Sequence, residues 1–274
     1  MNADFEGQKK SEAAPKGPPH DLVHERGQKP AEAPQGNLAA SHKGNIGAVA
    51  PADQAEIRKD PKAHALLTKY LPAQRLARYR PAASDGEIAA SDIYLWNCDL
   101  TEAFQLPLHM AEVSCRNTIH SALLFRSDRW YAEKTFRDIL DPARRNDLDR
   151  AIDTEEAQHG RAFDCHHLVS ALTFGFWEHL TTKRFERYLF PRGIQKNFKH
   201  APADKRLHDL RNLIETVRRW RNRIAHHNAI FDKSPAAKYA DILELISWTS
   251  PELRDFVAHR AKVHQVINAR PRGK

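Results

Sequence analysis

The run Arg221-Asn222-Arg223-Ile224-Ala225-His226-His227-Asn228 packs arginine, amide and imidazole groups into one short stretch. A neutral imidazole can take the proton from an RNA 2′-hydroxyl or give one to a leaving 5′-oxygen. A guanidinium can hold a phosphate by two parallel hydrogen bonds and stabilise the charge that grows on it. An amide can orient either group. Arg221, His226 and Asn222 are therefore a set suited to phosphodiester cleavage. Asn222 and His226, four residues apart, lie one above the other on a helix. Arg221 and His226 stand roughly 140° apart at 100° per residue, so they flank one another. The bare spacing is a weak signal and on its own reads more simply as a solvated basic helix end whose histidines bind nothing.

Such side chains need a helix to hold them. Leu210, Ile214, Val217 and Ile224 recur at three- and four-residue steps, which predicts an amphipathic helix packed on one side. Arg221 falls on that stripe, where a guanidinium must find an anion or an acceptor. Asparagine is tolerated where helices end, so fraying is expected near His227-Asn228. Arg218, Arg219 and Arg223 share this helix, and Lys199 and Lys205 flank it. These cations read either as a phosphate-tracking surface for RNA or as a solubilising face.

A second polar pair lies on a helix opened by Pro107 in its permitted first turn, carrying Leu108, Met110, Val113, Ile119, Leu123 and Leu124. Glu112 and Arg116 are four apart on it. They form an ordinary intrahelical ion pair, or they orient Arg221 and His226 from across a bundle. His120, the next residue at that step, reads as a hydrogen-bonded structural group.

Several blocks resemble one family. Arg221-Asn222-Arg223-Ile224-Ala225-His226-His227 with Ile230-Phe231, the run Glu112-Val113-Ser114-Cys115-Arg116-Asn117, the run Tyr94-Leu95-Trp96-Asn97 with Leu100 and Phe104, and Leu172-Thr173-Phe174-Gly175-Phe176-Trp177 are similar to the pattern of the Abi-like abortive-infection proteins, a branch of the HEPN superfamily. The resemblance runs from about Leu66 to Trp248. It implies an all-α, HEPN-like helical bundle and a metal-independent endoribonuclease in which Arg221 and His226 are catalytic. Asn222, His227, Asn228, Glu112, Arg116 and Asn117 would support them. It also implies a homodimer, in which two copies line one cleft, and a toxin that a partner antitoxin can hold silent. Asn228 departs from the pattern, which has an acid there, and no tyrosine follows His226 within the motif.

The rest of the chain sets bounds. Its 274 residues allow one sizeable domain and a tail. A net charge of +8 and a pI near 9.4 fit a polyanionic partner. Residues 1–52, rich in Pro, Gly, Ala, Gln and Lys with no apolar period, read as a disordered basic tail. The helical domain is expected over 53–268, with a frayed basic end at 269–274. Helix starts are expected at Asp60-Pro61, Pro72 and Ser91-Asp92, and Gly175 is expected where two backbones approach closely. Residues 126–161 read as a charged surface excursion, 163–190 as a long helix or helix pair, and 239–266 as closing helices. Three separated cysteines suit reduced thiols in a cytoplasm. No signal-peptide core or membrane-length apolar run is present. Cys165-His166-His167 has no second pair at ligand spacing, so neither metal nor cofactor is expected. Three functions remain open: an RNA-cutting toxin, a non-catalytic RNA-binding or regulatory module, and a structural bundle whose motif packs a dimer.

Overall fold

Apolar residues at helical spacing form helices throughout the structure, a computed structural model that describes residues 61–83 and 88–272. The chain runs through α1 (Pro61–Tyr70), α2 (Ala73–Ala77), α3 (Ala90–Ala103), α4 (Gln105–Leu124), α5 (Lys134–Ile139) and α6 (Pro142–His159). Three short helices follow, α7 (His167–Ala171), α8 (Phe174–His179) and α9 (Lys183–Leu189). Then come α10 (Leu207–Ala225), α11 (Pro235–Thr249), α12 (Pro251–Arg260) and α13 (Val263–Asn268). No strand occurs among the described residues, so the fold is all-α. The expected tail, and Asp60 of the first expected helix start, lie outside the described residues.

The centre is a trio of long helices, α4, α10 and α11, each packed against the other two. α10 buries Leu207, Leu210, Leu213, Ile214, Val217, Trp220 and Ile224 along one side. Each such aliphatic side chain contributes roughly 1.5–3 kcal/mol on burial. α11 meets them with Tyr239, Ile242, Leu245, Ile246 and Trp248. α8 packs on both α4 and α10, with Phe174, Phe176 and Trp177 buried as core. α3 closes another side, with Ile93, Trp96 and Leu100 inward.

Several expectations are corrected. The 163–190 run is three short helices, because Thr173 and Thr182 adopt extended backbone at the joins. The Thr173 hydroxyl accepts the Phe176 N–H and starts α8 afresh. α3 begins after Ala89, whose N–H is accepted by the Asp92 carboxylate at 2.9 Å, while Ser91 lies inside the helix and bonds His64 at 2.7 Å. A Cβ on Gly175 would sit 3.7 Å from the Thr173 hydroxyl and 3.9 Å from the Arg218 side chain, ordinary contacts, so no close approach demands glycine there. Leu66, Tyr70, Val113 and Phe256, apolar residues at helical spacing, are exposed. The closing run after Ser250 is two helices, the first capped by the Ser250 hydroxyl on the Leu253 N–H. The charged excursion contains the long helix α6, which buries only Leu148 and Ala151 and pairs Arg144 and Arg150 with Asp147. Among the described residues no helix is long and apolar enough to cross a membrane.

Candidate functional site

α10 ends inside the motif. The His227 N–H bonds the Ile224 carbonyl at 2.9 Å, and the Asn228 N–H bonds the Arg223 carbonyl at 3.0 Å. This crossed pair is a Schellman turn, whose pivot needs left-handed backbone. His227 supplies it, with φ 53°. Fraying was expected here, and the helix instead stops in a defined turn. The Arg223 Nε donates to the Ala229 carbonyl at 2.7 Å, and Arg75 from α2 donates to the His227 carbonyl at 2.9 Å.

The chain beyond is anchored by a residue named in the sequence only within the Tyr94–Asn97 block, with no role of its own. Asn97 on α3 is buried, and its Oδ1 accepts the N–H of Ile230 at 2.7 Å and of Phe231 at 3.2 Å. Phe231 then stacks on Tyr79 with centroids 5.1 Å apart. A signal is present: Asn97 stands at helical spacing between Ile93 and Leu100, and an amide on an apolar stripe must have a partner.

Glu112 joins α4 to α10. It is buried, ion-pairs with Arg116 one turn on, and its Oε2 lies 3.2 Å from Arg221 Nε. Arg221 Nη1 also donates to Asn222 Oδ1 at 3.2 Å. Glu112 thus serves two guanidinium groups, one on its own helix and one on α10. Burial holds the Arg116 guanidinium below its usual range; Glu112 opposes this shift and Arg221 adds to it. The Arg221 side chain is 43% exposed, so it lies at the edge of the buried stripe and reaches solvent.

The structure therefore brings together Glu112, Arg116, Arg221 and Asn222. His226, His227 and Asn228 are exposed on the turn that follows, and their side chains have no polar partner among the described residues. Asn117 is exposed and its carbonyl takes the Ser121 hydroxyl; its side chain does not join the cluster. Of the expected phosphate-tracking cations, three are engaged within the fold: Arg218 by Glu178, Arg219 by Glu215 at 2.5 Å, and Arg223 by the Ala229 carbonyl. Lys205 is half-buried beside the start of α10. Lys199 is displaced from the site helix and lines a separate cleft.

His120 is buried and lies edge-on to Trp130, His166 and Trp177. Its Nε2 has no hydrogen-bond partner, which corrects the expectation of a hydrogen-bonded histidine. Burial, reinforced by His166, pushes its pKa down to about 4. All three cysteines are unpaired, and burial pushes each thiol up, away from the reactive thiolate. Among the described residues no cluster of three or more His, Cys, Asp or Glu side chains could hold a metal. Comparison with protein-family models, curated proteins and solved structures finds no match to this chain.

Proposed function

We propose that this protein is a metal-independent endoribonuclease with an HEPN-like bundle, cutting RNA at Arg221 and His226. The observation that supports it most is the 3.2 Å contact between Glu112 and Arg221. It joins two motif blocks that lie far apart in the chain. His226 is the proton-transfer group, exposed at the end of α10. Arg221 holds and neutralises the phosphate, with Glu112 on its Nε, Arg116 paired to that same carboxylate, and Asn222 on its Nη1. One imidazole supplies half of a two-proton mechanism. A homodimer that places two copies of the motif on one cleft would complete it. The biological role that goes with this chemistry is growth arrest in anti-phage defence, restrained by an antitoxin.

The test is incubation of the purified full chain with RNA in EDTA. Wild type cleaves; His226→Ala loses about 100-fold or more, and Arg221→Ala about 100- to 1,000-fold. Equal cleavage by all three chains, or cleavage only with added metal, overturns the reading. In a host, growth arrest by wild type and none by His226→Ala is the matching result.

A second reading, a non-catalytic RNA-binding module, is favoured by the fact that Arg221 already has a carboxylate and an amide partner. Salt-sensitive RNA binding without turnover in the same assay would select it.

A further inference from the structure

Past the C-terminal end of α4 the surface opens into a cleft of about 700 Å³. Arg126, Arg192, Lys196 and Lys199 line it, and no aspartate or glutamate does. Arg192, Lys196 and Lys199 have no ion-pair partner among the described residues, whereas Arg218, Arg219 and Arg221 each face a carboxylate. Arg126 is held in place, its guanidinium 4.0 Å from the centre of the Tyr188 ring and donating to the Tyr188 carbonyl at 3.2 Å. Thr118, Ser121 and Asn197 add polar groups to the wall. Phe125, 87% exposed, forms part of the same lining.

Like charges gathered without a counter-charge favour an anion, and spaced charges favour a polyanion. The phenyl ring narrows the class further. A free phosphate would use the cations and leave Phe125 idle. A duplex keeps its base faces stacked inside. A single strand offers phosphates to the cations and a bare base to the ring, the combination that proteins holding unpaired strands employ. The cleft is distinct from the Glu112 cluster. Thr118, Ser121 and Phe125 point roughly 120–180° round the α4 axis from Glu112, and Phe125 lies about 20 Å further along it. We propose that this cleft is a separate binding site for a single-stranded polynucleotide, with Arg192, Lys196 and Lys199 on the phosphates and Phe125 stacked on a base. It goes beyond the cleavage reading and holds whether or not Arg221 and His226 cut.

The experiment is fluorescence anisotropy with a labelled oligouridylate of about 12 nucleotides, a length within the range such sites span. The full chain carries His226→Ala so that the probe survives. Adding Lys196→Gln and Lys199→Gln weakens binding and lowers the slope of log affinity against log salt by about 0.7 for each phosphate no longer neutralised. Adding Phe125→Ala weakens binding at least about fivefold and leaves that slope unchanged. Inorganic polyphosphate, as competitor, is indifferent to Phe125→Ala. Because binding is read in the His226→Ala chain and does not depend on cleavage, a failed cleavage assay and a failed cleft are told apart. The proposal is overturned if the paired lysine change leaves affinity and slope as they were. It is equally overturned if Phe125→Ala and Phe125→Leu bind as the parent does, or if a duplex of the same length binds as tightly as the single strand.

Discussion

His227 is one of two non-glycine residues, with Ser234, whose backbone takes positive φ among the described residues. Left-handed conformation costs an L-residue roughly 1 kcal/mol, and glycine usually stands at this point of a Schellman turn. Replacing His227 by glycine is expected to raise stability by about 0.5–1 kcal/mol, read as a higher urea midpoint at unchanged slope. A lower midpoint would mean that the imidazole makes a stabilising contact. Glycine would serve the turn alone better, so the strain points to a use for the side chain. A His227→Gly chain that folds more firmly and cuts RNA poorly would locate that use in the site. The residue types were legible as chemistry in the sequence. The pivot was not, because a double histidine gives no sign of which residue takes positive φ.

At the scale of elements, the two hydrogen bonds that tie the segment after α10 to α3 end on a single amide. Changing Asn97 to leucine leaves the N–H groups of Ile230 and Phe231 without their acceptor, at a cost of about 2 kcal/mol or more. Amide exchange at those two positions is expected to accelerate ahead of exchange in α4, α10 and α11; unchanged exchange there would show that Asn97 is not the anchor. The long helix α10 could be read from Leu210, Ile214, Val217 and Ile224, because a stripe that long has only one period that fits. The three short helices read in the sequence as one long helix or a pair, because a threonine cap inside an aromatic run leaves the period almost unbroken. Periodicity also marks a face without saying what covers it, and Phe256 and Tyr70, both at helical spacing, stand exposed. The contact of Glu112 with Arg221 could not be derived from spacing, since it depends on how α4 crosses α10.

For the whole molecule, pH sets a slope on stability. The folded pKa of His120, about 4, lies below the ordinary histidine value of about 6.5. Between those values the unfolded chain takes up a proton that the folded chain refuses, so stability falls as pH drops from about 6.5 to about 4 and the loss levels off below. His179, also lowered mainly by burial, acts in the same sense. Urea midpoints measured across this window should fall in wild type and fall less in His120→Leu, with His179 leaving a residual slope. A parallel fall in both chains would remove His120 as the cause. The charge of the molecule is divided likewise: Arg144 and Arg150 on α6 and Arg218 and Arg219 on α10 are paired with carboxylates within the fold, while the cations of the α4 cleft stay open to solvent. At Arg221 the fold installs its own resident anion. Glu112 occupies one edge of the guanidinium before any ligand arrives, so an incoming phosphodiester must share that edge or dislodge the carboxylate. Ions that bind at a single point are poorly equipped to do either, and the arginine is thereby kept for guests gripped at several places at once.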